Sequence, residues 1–130
     1  MFMRLALLMT TALLAPLLTL PVQAKDTHCA SAKAQVAAMS AKLPIEVDAV
    51  TQTIKATASC SNKQLHVTRS IALKQSRMEA DFKDFLQKQD DEFVCGDKNR
   101  RALLDADWKW IVDYKFQDGD VVKVTVKCAK

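Results

Sequence analysis

The chain has 130 residues, 49% hydrophobic and 26% charged, which is enough for one domain and too little for two comfortable ones. This composition excludes collagen-like, low-complexity and wholly disordered chains. Only two glycines occur, Gly96 and Gly119, so there is no room for a glycine-rich phosphate cradle.

Residues 1–24 carry one positive charge, Arg4, then an apolar run from Leu5 to Leu20 broken by Pro16, then Val22-Gln23-Ala24. That pattern predicts a cleavable export signal removed after Ala24, leaving a single domain over residues 25–130. Loss of Arg4 leaves 18 basic against 15 acidic residues, a net charge of +3. So mild a charge names no partner, and with the compartment it disfavours nucleic acid. Cys29 follows Asp26-Thr27-His28, which is not the small apolar setting of a lipid-modified cysteine. The expected location is the periplasm or the cell exterior, with no membrane anchor after cleavage.

Four cysteines remain, Cys29, Cys60, Cys95 and Cys128. In an oxidising compartment an even count reads as two disulfides, for which three connectivities exist. A zinc site would need close Cys-x-x-Cys spacing, which is absent.

In chain order, Cys29 to Lys42 places Cys29, Ala32, Val36, Met39 and Leu43 on one helical face, with Pro44 stopping the helix. From Val47 to Cys60 the apolar residues Val50, Ile54, Ala56, Ala58 and Cys60 alternate with polar ones, predicting a strand. A tight turn at Asn62-Lys63 would set Cys60 opposite Leu65, Ala58 opposite Val67 and Ile54 opposite Ile71 in a strand over 65–73. Ser76-Arg77-Met78-Glu79 reads as a capping box opening a second helix, with Met78, Phe82, Phe85, Leu86, Gln89 and Phe93 at helical spacing. Gly96 is placed to end that helix in a left-handed conformation, and Asp97 to cap a short helix through Leu104.

In the final hairpin, Trp108, Trp110, Val112, Tyr114 and Phe116 share one face, and Val122, Val124, Val126 and Cys128 share another. Only a three-residue loop, Gln117-Asp118-Gly119, brings those sets together, with Val122 against Tyr114 and Val126 against Trp110. The expected fold is therefore α+β, helix–hairpin–helix–hairpin, a four-stranded antiparallel sheet with helices on one face. That order brings Cys60 back to Cys29 and Cys128 back to Cys95, favouring the pairs Cys29–Cys60 and Cys95–Cys128.

The segment Leu43-Pro44-Ile45-Glu46-Val47-Asp48-Ala49-Val50-Thr51, then Cys95, Arg101-Ala102-Leu103-Leu104, the aromatic strand, Asp118-Gly119 and Cys128, resembles a loose group of small exported bacterial proteins. That group has no assigned activity, so the resemblance implies export and fold rather than a mechanism. Asp107 stands where the group often has glycine.

Chemistry is sparse. His28 and His66 are the only imidazoles, and no serine-nucleophile elbow or zinc-protease motif occurs. Oxidised cysteines have no thiolate to act as a nucleophile. Asp105 with Asp107, or the Asp90-Asp91-Glu92 run, could act as paired carboxylates in a cell-wall or glycan hydrolase, yet neither has an orienting partner in view. His28 becomes the fourth residue after cleavage, which spoils an amino-terminal copper chelate. No catalytic residue, metal or cofactor is assigned.

The outer sheet face is expected to carry Thr53, Lys55, Thr57, Ser59, His66, Thr68, Ser70, Lys109, Lys115, Lys123, Thr125 and Lys127 against one acid, Asp113. Of these Lys55, His66, Lys109, Lys115, Lys123 and Lys127 form a basic platform for a protein or an anionic envelope component, unless the face is merely solvated. The function expected is a non-enzymatic interaction module: an inhibitor, a toxin-immunity protein or a secretion accessory. A third reading is a carrier of an apolar ligand lined by Phe82, Phe85 and Trp110.

Overall fold

The computed structural model describes residues 26–129; the expected leader and its cleavage point lie outside them. The elements are α1 (Asp26–Ser40), β1 (Ile45–Glu46), β2 (Thr51–Ser59), β3 (Gln64–Ile71), a 3-10 turn (Gln75–Arg77), α2 (Phe82–Cys95), α3 (Lys98–Asp105), β4 (Lys109–Phe116) and β5 (Val121–Thr125). The strands make one sheet in the order β1-β2-β3-β4-β5.

The α+β class agrees with expectation, but the four antiparallel strands do not. The short β1 pairs with β2 and adds a fifth strand. The central pair, β3 and β4, is parallel, with Gln64 beside Lys109 and Ile71 beside Phe116. Alternation of apolar residues fixes which side chains face inward but carries no strand direction. Direction comes from the connection. The link from β3 to β4 holds α2 and α3, long enough to cross the sheet and return to the end where β3 began.

The first hairpin turns over four residues rather than two. Ser59 pairs with Gln64 and Ala58 with Leu65, with Lys63 at φ 51° inside the turn. Relative to the expected register this is a shift of two, so the inward face is kept near the turn. A bulge between Thr53 and Lys55 then slips the register once more, and Thr51 pairs with Ile71. Past that bulge the faces exchange: Thr51 and Thr53 are buried, while Val50 and Ile54 are 37% and 41% exposed. Thr53 therefore leaves the expected outer face and joins the interior.

Ser76 and Glu79 do not form the expected capping box. Ser76 lies in the 3-10 turn, and α2 starts at Phe82 behind Asp81, whose side chain makes no capping hydrogen bond. The inward stripe of α2 is Phe82, Leu86, Asp90 and Val94, a pure four-residue repeat that includes a carboxylate. Phe85 and Phe93, expected in that stripe, are 64% and 43% exposed. Gly96 is right-handed, at φ −78°, so the expected left-handed ending is corrected. A Cβ there would meet the Glu92 carbonyl oxygen at 2.7 Å, so close approach rather than handedness calls for glycine.

Asp97 caps α3 as expected, its Oδ2 accepting from the Arg100 N–H at 2.9 Å. The left-handed residue after α3 is Asp107, at φ 65°. The Asp107 N–H reaches the Leu104 carbonyl and the Trp108 N–H the Leu103 carbonyl, the two bonds of a Schellman ending. Glycine occupies this conformation without steric cost, so Asp107→Gly is expected to raise stability by about 0.5 kcal/mol. Urea denaturation checks this; an unchanged or lowered midpoint would contradict it.

The second hairpin agrees with its expected register: Tyr114 pairs with Val122, and the Val126 N–H bonds the Trp110 carbonyl. Gly119 has φ +89° in its turn, a conformation that favours glycine. Both disulfides are the expected ones, Cys29–Cys60 and Cys95–Cys128. Residues from all three helices (Ala32, Leu86, Val94 and Leu103) share a core with the inward face of the sheet, above all Leu65, Val67, Trp110, Val112 and Tyr114.

Candidate functional site

Two surfaces have the makings of a site: the helix-covered face, where the cover is incomplete, and the open outer face. On the covered side α1 and α2 both pack against α3 but scarcely touch one another. Between them lies a cleft of about 260 Å³ lined by Met39 of α1, Ile45, Glu46 and Val47 at β1, and Gln89, Asp90 and Phe93 of α2. Its floor is Thr53, Val67, Arg69 and Trp110. An adjoining hollow of about 310 Å³ shares Met39, Ile45, Phe93 and Trp110 and continues to Gln35, Lys42 and Arg100. Together they form one largely apolar groove open to solvent, the form a recognition site usually takes.

Aromatic packing shapes the groove. Phe93 meets Trp110 edge to face, with centroids 6.4 Å apart at 71°. The Arg100 guanidinium stacks on the outer side of the Phe93 ring, 3.9 Å from its centroid, and its Nη1 donates to the Phe93 carbonyl at 3.1 Å. This leaves a large aromatic side chain held in place yet 43% exposed.

Beneath the apolar walls sits a buried polar triangle. Arg69 of β3 donates from Nη1 to Asp90 Oδ1 at 2.7 Å and to the Tyr114 hydroxyl at 2.7 Å. That hydroxyl donates in turn to Asp90 Oδ2 at 2.7 Å, and Arg69 Nε donates to Thr53 Oγ1 at 3.3 Å. Asp90 and Tyr114 are each 1% exposed and Arg69 is 8% exposed. Burial pushes the Asp90 carboxyl above its ordinary value of 3.8, outweighing the hydrogen bond from Tyr114 and the charge of Arg69. Burial likewise raises the Tyr114 phenol. Sequence reasoning placed Asp90 on a solvated face and gave Arg69 no role. The available signal was Asp90 recurring four residues after Leu86 and four before Val94, on a stripe otherwise apolar.

The Asp90-Asp91-Glu92 run does not converge on one site. Asp91 accepts the Lys127 N–H at 2.9 Å and the Gln87 side-chain amide at 2.9 Å, tying α2 to the chain after β5. Asp90 faces the other way, into the triangle. Asp105 and Asp107 are exposed at the end of α3, beside an open hollow that also includes Arg101, Trp108 and Lys109. Nor do Phe82, Phe85 and Trp110 line one cavity. Phe82 packs edge to face on Phe116, and with Phe85 it borders a separate shallow pocket, whereas Trp110 floors the groove.

On the outer face, Lys55, Lys109, Lys115, Lys123 and Lys127 are all exposed. The register sets Lys55 beside Thr68, Thr68 beside Asp113, and Asp113 beside Lys123. His66 is half-buried and its Nε2 lies 2.6 Å from Asp113 Oδ2, a pairing the sequence did not reveal. The platform thus has a His–Asp pair at its centre and lysines around it. Among the described residues no three His, Cys, Asp or Glu side chains converge as a metal cage, and no helix is long and apolar enough to cross a membrane.

Three solved structures share this architecture. The pilotin EpsS of the Vibrio vulnificus type 2 secretion system aligns with a TM-score of 0.62 at 15% identity, over 79% of this chain and 90% of that one. The type II secretion system pilotin AspS of Vibrio cholerae gives 0.60 at 17% identity, over 79% and 91%. A Pseudomonas aeruginosa protein classed as a candidate secreted protein gives 0.64 at 16% identity, over 80% and 93%. The likeness is one of fold. No protein-family model and no curated protein sequence matches the chain.

Proposed function

We propose that this protein is a non-enzymatic, exported accessory of a type II secretion machine that holds an apolar segment of a partner protein in the groove between α1 and α2. The carrying observation is the groove itself: Phe93 stands 43% exposed over a buried Trp110, with Met39, Ile45 and Val47 opposite. Covering the part of the Phe93 side chain still exposed contributes roughly 1 kcal/mol, which a solvated surface does not recover. Two of the structures with this fold are described as pilotins of type II secretion systems, which supports a secretion role over toxin immunity or inhibition. The two disulfides suit an oxidising compartment, in keeping with an export signal removed after Ala24 and a location outside the cytoplasm.

A second reading keeps the lysine face as a platform for an anionic envelope component. It is supported by the joint exposure of Lys55, Lys109, Lys115, Lys123 and Lys127, and binding there would weaken as salt is raised.

One experiment separates the two. Protein carrying Phe93→Glu and protein carrying Lys109→Glu, Lys115→Glu and Lys123→Glu are each used to capture partners from envelope extract, with identification by mass spectrometry. Phe93→Glu is expected to abolish capture of a secretion-machine component, while the triple reversal leaves it within about twofold, as is usual for charges outside a contact. The opposite pattern would move the function to the lysine face.

A further inference from the structure

The floor of the groove carries an unspent cationic donor. Arg69 uses Nε on Thr53 and Nη1 on Asp90 and Tyr114. Among the described residues its second terminal nitrogen, Nη2, has no hydrogen-bond partner, although the residue is 92% buried and lines the cleft. Asp113 Oδ1 is the one side-chain oxygen or nitrogen found both fully buried and unpartnered among those residues, so the unpartnered Arg69 Nη2 is not sealed from solvent, and its residue lines the cleft. A guanidinium has five N–H donors in a rigid fork, and three are placed here. The other two remain for an occupant.

The surroundings select what that occupant presents. Asp90 already spends one oxygen on Arg69 and the other on Tyr114. The mouth of the groove adds Lys42 and Arg100 against Glu46. The cleft is therefore apolar on its walls, with unspent guanidinium N–H donors at its floor and two cations at one end. A lysine or arginine entering it would face Arg69 at the floor, with acceptors left only on Glu46 and Gln89 in the walls. An acidic side chain set among apolar ones would gain charge-assisted hydrogen bonds in a place with little competing water.

We propose that Arg69 is the specificity-determining residue of the groove, and that the partner segment inserts an aspartate or glutamate carboxylate between apolar anchors. This rests on the groove being the docking surface. It adds a chemical requirement that the apolar walls alone would not impose.

The probe is a displayed library of random peptides, selected on the oxidised protein with and without Phe93→Glu. Peptides lost in the Phe93→Glu selection define groove binders. Among these, apolar sequences with one acidic residue are expected to dominate. For a synthetic member, changing its acid to the amide is expected to weaken binding by about tenfold, and changing it to lysine by more. Arg69→Met alone leaves a buried carboxylate, so the double variant Arg69→Met, Asp90→Leu is the informative comparison. It should still bind the peptides through the apolar walls but lose the preference for acid over amide. Groove binders without an acidic residue, or an acid preference that persists in the double variant, would overturn the role of Arg69 and leave the groove standing. No groove-dependent peptide at all would overturn both.

Discussion

Arg69→Met is expected to destabilise the protein by about 3–5 kcal/mol at neutral pH, because removing one partner leaves the other charge buried without compensation. Arg69 holds Asp90 Oδ1 and the Tyr114 hydroxyl at 2.7 Å each, and Asp90 is 1% exposed. The double variant Arg69→Met, Asp90→Leu should recover part of that loss, since no charge is left buried, while the Tyr114 hydroxyl, stripped of both partners, keeps a remainder of about 1–3 kcal/mol. A pH series adds an independent check. Burial raises Asp90 above 3.8 in the folded protein even with Arg69 present, and loss of the cation raises it further. A raised carboxyl contributes its stability fully below the unfolded-state value and loses it as pH rises through the folded-state value. The deficit of Arg69→Met relative to the parent should therefore be smallest in acid and grow as pH rises through the parent's raised folded-state value. A deficit that is flat with pH, or largest in acid, would contradict the buried-charge account.

Replacing Cys29 and Cys60 together by serine is expected to cost about 3–4 kcal/mol, and replacing Cys95 with Cys128 about the same, on the chain-entropy estimate for loops of this size. The separations are 31 and 33 residues, so the two effects should be nearly equal. Their local consequences differ. Cys29–Cys60 ties α1 to the end of β2 and so fixes one wall of the groove. Cys95–Cys128 ties the end of α2 to the chain after β5, alongside the Asp91 hydrogen bond to the Lys127 N–H. Loss of either bridge should lower the urea midpoint, but only loss of Cys29–Cys60 should also weaken capture of a groove-bound partner beyond what the stability change explains. Equal effects on capture would show that the bridges act through global stability alone.

The parts of the fold legible in the sequence are those where local chemistry and burial agree. The second hairpin had one loop length that brought its apolar faces together, and Tyr114 does pair with Val122. The disulfide pairing followed from a helix returning along a strand, and it survived the wrong assumption about β4. Direction of β4 was hidden because the period of two is the same for parallel and antiparallel strands. The bulge at Ile54 was hidden because an uninterrupted alternation was the simpler pattern, and the threonines it turns inward look like surface residues. Thr53 is inside because Arg69 needs an acceptor there.

The site was less legible than the fold. Phe93 looked like core because aromatic residues at helical spacing usually are, yet the gap between α1 and α2 leaves it half uncovered. Asp90 and Arg69 lie 21 residues apart on different elements, and nothing local marks either as the partner of the other. By contrast the lysines of the outer face were placed correctly from alternation alone, apart from the His66–Asp113 pair at their centre.

A photo-crosslinking amino acid placed at Phe93, and separately at Lys115, reads the contact surface directly in the living cell. From Phe93 the account predicts an adduct with a component of the type II secretion machine, and from Lys115 none. An adduct from Lys115 with Phe93 silent would remove the groove from the function and transfer it to the opposite face of the sheet.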